Sequence, residues 1–251
     1  VSNDAEAVKR AQALAEKLHL PLVRHAGDAG AHHLVLLVHS ERLELADLSL
    51  PNQRPIAVEF PGETRHRRRA AAGQKEPIAR AVGPRPAYVV DATAGLARDA
   101  FSLAYLGYDV TAVERSPILV SLIADAVERA RASGDGQLRQ ALHRLQFRQS
   151  DAAPLLQATS RVNPPDVVYL DPMYEASSGT ALAKKELRIL RKLVGDDADA
   201  ASLLEVARSV ARRRVVVKRR RIAPPLADDV SHSIRGTRIR YDVYLESSSR
   251  A

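Results

Sequence analysis

The sequence contains no cysteine and no tryptophan, and only one methionine, among its 251 residues. Without cysteine there can be no disulfide bonds, thiolate zinc sites or cysteine nucleophiles, and this absence fits a reducing compartment. No run of 18 or more apolar residues occurs, and Val1-Ser2-Asn3-Asp4 does not begin a basic-then-apolar signal. We therefore expect no membrane span and a cytoplasmic location. Internal repeats and low-complexity tracts are also lacking.

Positive charge is in excess and is concentrated in three runs. Lys and Arg number 38 against 30 Asp and Glu, which gives a formal net charge of +8 and a pI of about 10.0. This balance favours an anionic partner, most commonly nucleic acid. The runs are residues 65–69, 212–214 and 218–221; each alone is compatible with ordinary solvated surface, whereas three together favour a phosphate-binding face. The candidate phosphate contacts are His66, Arg67, Arg68, Arg69, Lys218 and Arg219.

The first 65 residues predict a small α/β module. Apolar residues at helical spacing over residues 5–18 predict a helix that ends before Pro21. Residues 66–86 are basic and contain Gly and Pro, so they predict a linker with a helical portion around residues 75–81. Short apolar runs in the module predict strands at residues 34–38, 43–45 and 56–60.

Residues 87–251 alternate between strand and helix patterns, which predicts one open, mostly parallel sheet. Two runs on either side of Gly236 predict a closing antiparallel hairpin. The predicted strands are residues 88–91, 109–114, 145–150, 166–170, 214–218, 230–234 and 238–246. The predicted helices are residues 98–106, 117–132, 180–194 and 200–212.

Acidic residues follow three successive predicted strands. Asp91 ends the first strand and leads through Gly95 into a helix. Glu114 ends the second strand, roughly 20 residues beyond the glycine turn, the spacing at which an acid reaches ribose hydroxyls. The third strand ends at Ser150-Asp151, a polar pair that can hydrogen-bond an adenine edge. Because ligands of open α/β sheets bind at this edge, the pattern predicts a nucleoside-type cofactor site.

The turn after the first of these strands discriminates between two cofactors, a dinucleotide and S-adenosylmethionine. A dinucleotide site typically has the pattern G-x-G-x-x-G, which is incomplete here because Ala94 precedes Gly95 and Ala97 follows it. Asp99 at the helix start places a carboxylate where a pyrophosphate would lie. Arg98 can pair with the carboxylate of S-adenosylmethionine, and the two aspartates of the turn can face its cationic groups. The sequence predicts an α/β, class I (Rossmann-like) S-adenosylmethionine-dependent methyltransferase sheet with a small N-terminal α/β module.

The fourth strand of this sheet ends in Asp171-Pro172-Met173-Tyr174. An exocyclic amine on a base is a poor nucleophile because its lone pair is delocalised into the ring. Asp171 can accept one amine hydrogen, the carbonyl beside Pro172 can accept the other, and Tyr174 can stack on an extruded base. A simple Asp-Pro turn beside a core tyrosine is the alternative. With the cofactor pattern upstream, we expect Asp171, Pro172 and Tyr174 to be catalytic, without a metal.

Four segments of the chain resemble the RsmJ family, bacterial 16S ribosomal RNA guanine-N2 methyltransferases. They are residues 91–100, Leu170-Asp171-Pro172-Met173, Lys184-Lys185-Glu186 and residues 215–219, within a resemblance that runs from about residue 65 to the C-terminus. It departs from the family where Ala97 replaces a usual Gly and Tyr174 a usual Phe. The resemblance implies S-adenosylmethionine as cofactor, and contacts to it from Arg98, Asp99, Glu114, Arg115, Ser150, Asp151 and Asp171.

The leading hypothesis is therefore methylation of a guanine N2 amine in 16S ribosomal RNA. Two alternatives stay open: amino methylation of adenine or of a protein Gln side chain, and a non-catalytic RNA-binding protein of ribosome assembly. The expected partner is 16S RNA or the small ribosomal subunit, and we favour a monomer.

Overall fold

The computed structural model describes residues 4–30, 33–50, 54–60, 73–85, 87–173, 181–195 and 199–246. The chain divides into two compact units that are both discontinuous in sequence. The smaller unit comprises residues 1–59, 116–133 and 173–196, and the larger comprises residues 60–115, 134–172 and 197–251. The domain boundaries predicted at residues 65 and 86 stay a prediction.

Helices and strands alternate along most of the described chain. The helices are α1 (Ala5–Leu18), α2 (Pro77–Val82), α3 (Arg98–Tyr105), α4 (Pro117–Ala132), α5 (Gly136–His143), α6 (Ala152–Ser160), α7 (Ala181–Val194) and α8 (Ala200–Val210), with short 3-10 helices at Ala26–Ala29 and Gly73–Lys75. The strands are β1 (Leu34–Val38), β2 (Leu43–Asp47), β3 (Tyr88–Asp91), β4 (Asp109–Glu114), β5 (Leu145–Gln149), β6 (Val167–Leu170), β7 (Arg214–Arg220), β8 (His232–Arg235) and β9 (Ile239–Leu245).

The smaller unit contains α1, the antiparallel hairpin β1–β2, α4 and α7. Asp4 caps α1 by accepting the Glu6 N–H at 3.0 Å, as Asp commonly does at this position. The predicted helix and first two strands are confirmed, whereas the predicted strand over residues 56–60 is wrong. Only Ile56 pairs, in an isolated bridge with Leu45. Pro55 precedes it and lacks the N–H that a longer ladder would need.

The larger unit is built on a seven-stranded sheet in the order β5-β4-β3-β6-β7-β9-β8. The five strands from β5 to β7 are parallel, and β9 runs antiparallel between β7 and β8. The predicted strands and closing hairpin are confirmed, and the hairpin's second strand joins β7. Helices α5 and α6 were not predicted. The buried residues of α5 have helical spacing over only two turns, and most apolar residues of α6 are grouped at its start.

One hydrophobic cluster covers a face of the sheet through α6 and α8. Its members are apolar residues of the central strands and of these helices, which explains why β3, β6 and β7 consist largely of buried aliphatic side chains. The cluster includes Val90, Val113, Leu156, Val168, Leu170, Leu203, Leu204, Ala207, Val215, Val217 and Tyr244. It holds the strands rigidly in register, and this fixes the residues at their ends.

Candidate active site

The carboxyl ends of the parallel strands bring the predicted acids to one edge of the sheet. Asp91 ends β3, Glu114 ends β4, and Asp171 directly follows β6. In the pairing of β6 with β7, Leu170 lies opposite Val217, so the next residues, Asp171 and Lys218, are level with each other. The strand order places β6 between β3 and β7. Residues that are far apart in sequence therefore meet beside one another.

Lys218 joins Asp171 to Asp99, which lies in the first turn of α3. Its Nζ donates to Asp99 Oδ2 and to Asp171 Oδ2, each at 2.7 Å. The Tyr169 hydroxyl also donates to Asp99 Oδ2, at 2.7 Å, and the Asp171 N–H donates to Thr93 Oγ1 at 2.6 Å. This network fixes Asp171 through both its backbone and its side chain. The Asp171 side chain remains 40% exposed, so it is accessible to a substrate.

Burial and charge shift several pKa values at this edge. Burial raises the pKa of Asp91 well above 3.8, and the charge of Asp99 adds to the shift, while the Thr93 N–H bound to Asp91 opposes it. Burial would lower the pKa of Lys218, but the carboxylates of Asp171 and Asp99 outweigh it and hold that pKa well above 10.5. Lys218 is therefore held as a cation between the carboxylates of Asp99 and Asp171.

The turn between β3 and α3 passes close to Glu114. The Gly95 N–H donates to Glu114 Oε2 at 2.9 Å. Gly95 has φ +55°, and a side chain there would meet only the Thr93 carbonyl, at 3.9 Å, so the turn is open on this side. Ala97 is also left-handed, at φ 56°, and is fully buried. A non-glycine residue in this region is strained, so the fold holds the turn in its shape.

The other predicted cofactor contacts lie around the same edge. Ser150 donates its N–H to the Glu114 carbonyl at 3.1 Å, and Asp151 is exposed at the start of α6, where its side chain makes no capping hydrogen bond. Arg98 is exposed at the start of α3. Arg115 forms an ion pair with Asp199 at 3.5 Å, so its predicted role as a cofactor contact stays a prediction.

The residues predicted to contact RNA are only partly described. His66, Arg67, Arg68 and Arg69 lie outside the described residues, as does the predicted stacking residue Tyr174. Pro172 is described and buried.

The sequence predicted that Lys218 and Arg219 face solvent in a basic run, but in the structure they do not. Lys218 is bound to two acids, and Arg219 is only 5% exposed, with its Nε donating to the Pro224 carbonyl at 3.0 Å. A phosphate contact from either residue stays a prediction. The alternation of side chains along a strand could have indicated their burial, because successive residues of a central strand point to opposite faces of the sheet and both faces are covered.

Sequence reasoning missed Tyr169 and Thr93. Tyr169 occurs inside a buried apolar run and reads as a core residue, which its complete burial confirms, yet its hydroxyl reaches Asp99. Thr93 is one of several small residues in the turn. No sequence signal shows that its hydroxyl accepts the Asp171 N–H, because that contact depends on β3 pairing with β6.

The chain is similar to known methyltransferases. A family model described as "Putative SAM-dependent methyltransferase" matches residues 14–246. The ribosomal RNA small subunit methyltransferase J of Thioalkalivibrio sulfidiphilus is 46% identical over 243 residues, covering 94% of this chain and 93% of its own. The protein of the same name from Dechloromonas aromatica is 42% identical, with 95% and 96% covered. The chain belongs to the ribosomal RNA small subunit methyltransferase J family.

The match to this family includes most of the N-terminal module, which the sequence resemblance had left out. A solved S-adenosylmethionine-dependent methyltransferase from Neisseria gonorrhoeae has the same fold, with a TM-score of 0.74 and 31% identity over 98% of this chain and 95% of that one. The predicted class I fold, enzyme class and cofactor are confirmed. Among the described helices, none is long and apolar enough to cross a membrane. The described residues contain no cluster of metal-binding side chains.

The site suits the cofactor of this family. Asp91, Asp99, Glu114 and Asp171 meet at the sheet edge with Lys218 as the cation bound among them. A surplus of carboxylates favours a ligand that carries an ammonium and a sulfonium group. The open left-handed turn at Gly95 leaves backbone accessible beside Glu114, as a closely approaching ribose requires.

Proposed function

We propose that the protein methylates the exocyclic N2 amine of a guanine in 16S ribosomal RNA, in the cytoplasm. The observation that carries the proposal is the 46% identity, over 94% of the chain, to a protein named ribosomal RNA small subunit methyltransferase J. The position of Asp171-Pro172 at the end of β6 supports an amine as the acceptor. The excess of 38 Lys and Arg over 30 Asp and Glu supports an RNA partner.

The residues at the strand ends divide the binding of S-adenosylmethionine among them. When bound, this cofactor supplies a methyl group made electrophilic by a positively charged sulfur. Glu114 would accept hydrogen bonds from both ribose hydroxyls, and Ser150 with Asp151 would hold the adenine edge. Asp99 would face the cationic end of the methionine portion, and Arg98 would pair with its carboxylate.

Asp171 would orient the acceptor amine. The amine nitrogen would gain the methyl group as the sulfur–methyl bond breaks to leave a neutral thioether, and the surplus amine proton would pass to solvent. An acceptor that holds one of the amine hydrogens favours the attacking geometry. The ion pair with Lys218 and the bond from the Asp171 N–H to Thr93 keep this carboxylate in place. Preorganisation of this kind lowers the barrier without reorganisation during the reaction. From the sequence, we assign Tyr174 to stacking on the base.

The test is identification of the modified nucleoside. The protein is incubated with labelled S-adenosylmethionine and, in parallel, with protein-free 16S RNA or small ribosomal subunits. We expect the label in N2-methylguanosine and near-complete loss of turnover in D171A. Label in adenine or in protein would contradict the guanine assignment and favour the other amino acceptors. No label on either substrate would favour a non-catalytic assembly protein. The two arms also decide between free RNA and the assembled subunit.

Substitutions of Tyr174 test the stacking assignment separately. Y174F retains an aromatic ring and should keep most of the activity, whereas Y174A should lose it, because the ring and not the hydroxyl stacks on the base. Equal loss in both variants would contradict stacking.

The basic run at residues 65–69 is proposed to hold RNA phosphates. Each true phosphate contact contributes about −0.7 to −0.9 to the slope of log affinity against log salt. The triple variant R67A/R68A/R69A should bind RNA more weakly and with a shallower salt slope, while S-adenosylmethionine affinity remains unchanged. Filter binding across a salt series measures this. An unchanged slope would make the run ordinary solvated surface.

A further inference from the structure

Four arginines line a cleft of about 930 Å³ in the larger unit. They are Arg80, Arg85, Arg144 and Arg214, and the rest of the lining consists of Gly83, Pro84, Gly107 and Ile234. None of the four belongs to the site described above. Arg214 ends the basic run of residues 212–214, whose role the active site does not explain.

Most of the cleft lining lies at the opposite edge of the sheet from the active site, and Ile234 of β8 lies further along the sheet. Arg144 directly precedes β5, Gly107 shortly precedes β4, and Arg214 is the first residue of β7. The amino ends of parallel strands share one edge, and the acids of the active site lie at the carboxyl ends. With a rise of about 3.3 Å per residue, parallel strands of four to seven residues separate the two edges by roughly 13–23 Å.

Arg214 is held in the cleft as an unpaired cation. Its Nη1 donates to the Ala81 carbonyl at 3.1 Å, and its guanidinium lies flat over Gly83, where a Cβ would come within 3.1 Å of Cζ. Gly83 has φ +99°, so both its conformation and its missing side chain admit the arginine. No carboxylate of the described residues pairs with Arg214, and its Nε is buried without a hydrogen-bond partner. Burial and the neighbouring Arg213 lower its pKa.

The other three arginines are also poorly neutralised. Arg85 donates to the Leu106 carbonyl and lies over the Tyr108 ring at 5.9 Å, so neutral groups position it. Arg144 pairs only loosely with Asp109, at 3.4 Å. Arg80 is exposed on α2. Four guanidinium groups against one carboxylate leave three positive charges within the described part of this cleft.

We propose that this cleft binds backbone phosphates of the substrate RNA at a distance from the methylated base. Guanidinium groups bind phosphate oxygens through two parallel N–H donors, and a partly desolvated arginine without a carboxylate gains most from an anion. A single phosphate would fill a small part of 930 Å³, and three unneutralised charges call for several phosphates along one strand. The inference rests on the proposed RNA substrate and adds a second contact surface to it.

The test removes charge from the two arginines that are least involved in packing. R80Q/R144Q is compared with K9Q/K17Q, which removes the same charge from exposed positions of α1. Filter binding of 16S RNA is measured across a salt series, with S-adenosylmethionine affinity by calorimetry and steady-state methylation on the same proteins. Thermal unfolding of each variant checks that it is folded. Inorganic phosphate and pyrophosphate are titrated into the wild type in a separate calorimetric experiment.

We expect R80Q/R144Q to flatten the salt slope by about 1.4 to 1.8 and to weaken RNA binding roughly 10- to 100-fold at 0.1 M salt. KM for RNA should rise while kcat and cofactor affinity stay near the wild type. The control K9Q/K17Q should change neither the salt slope nor KM.

An unchanged slope in R80Q/R144Q, or an equal change in the control, would overturn the proposal. Tight binding of free phosphate or pyrophosphate with unchanged RNA affinity would also overturn it, in favour of a small-anion site. Failure of the wild type to methylate RNA would instead contradict the proposed function, so the two failures are distinguishable.

Discussion

Lys218 on β7 and Asp171 at the end of β6 form an ion pair in which Nζ and Oδ2 are 2.7 Å apart. The same ammonium group lies 2.7 Å from Asp99 Oδ2. The protein thus places its own cation among the acids that would face a cationic cofactor. Lys218 is therefore expected to control how strongly the site discriminates S-adenosylmethionine from its uncharged-sulfur product, S-adenosylhomocysteine.

Replacing Lys218 tests this control. K218Q removes the ammonium group that contacts Asp99 and Asp171, so the preference for S-adenosylmethionine over S-adenosylhomocysteine should rise by about tenfold, equal to about 1.4 kcal/mol. Turnover should fall because Asp171 is no longer held. Calorimetry with both ligands measures the ratio. K218R keeps the charge and should keep the wild-type ratio; equal weakening of both ligands in K218Q would reduce Lys218 to a purely structural role.

Glu114 should contribute to S-adenosylmethionine affinity more through its charge than through its hydrogen bond with the Gly95 N–H. E114Q retains an oxygen acceptor for that N–H, whereas E114A removes it. Because hydrogen bonds to a charged group contribute about 1.5–3 kcal/mol, both variants should bind S-adenosylmethionine roughly 10- to 100-fold more weakly. Calorimetry is the measurement, and the exposed Glu205 supplies the control E205Q. Wild-type affinity in a folded E114A would remove Glu114 from the site.

Asp91 should make stability depend on pH. Its pKa in the folded protein is well above 3.8 because it is buried near Asp99, so the folded state retains a proton that the unfolded chain has released. The contribution of protonated Asp91 to the free energy of unfolding is fully present below pH 3.8. It is lost as pH rises through the pKa of Asp91 in the folded protein. D91N keeps an acceptor for the Thr93 N–H and cannot ionise. It should therefore melt a few degrees higher than the wild type at pH 8, where each kcal/mol shifts the midpoint by about 2–4 °C.

The difference in melting temperature between D91N and the wild type should shrink as pH falls from 8 to 4. Thermal unfolding at several pH values measures it, with the exposed Asp228 giving the control D228N. A difference independent of pH would show that ionisation of Asp91 does not oppose folding.

Ala97 should tolerate glycine unusually well. At φ 56° an L-residue is strained by about 1–2 kcal/mol, and glycine relieves that strain. Loss of the buried methyl group, about 0.8 kcal/mol, and the higher backbone entropy of glycine, about 0.5–1 kcal/mol, oppose the gain. The free energy of unfolding of A97G, measured by urea denaturation, should therefore be within about 1 kcal/mol of that of the wild type. A104G, at a buried helical position, has no strain to relieve and should be destabilised by about 1.3–1.8 kcal/mol; equal destabilisation of both would contradict the argument.

Local patterns in the sequence determined the elements of this protein and most of its acids. Apolar runs that end in Asp91 and Glu114 predicted strands and the residues at their carboxyl ends, because parallel strands are buried on both faces and ligands bind beyond their ends. The hairpin was predicted because two strand patterns lie on either side of Gly236. Helix α6 was not, since most of its apolar residues are grouped at its start and do not show helical spacing.

The tertiary structure alone decided which side chains meet. Strand order and register place Lys218 level with Asp171, and no pattern within one strand contains that information. Lys218 therefore seemed to belong to a basic surface run, although in the sheet it is bound to two acids. The same is true at the opposite end of β7. Arg214 lines one cleft with Arg85 and Arg144 because the amino ends of three strands lie at the same edge of the sheet. Contacts between strands depend on long-range packing, whereas the strands themselves depend on local hydrophobicity.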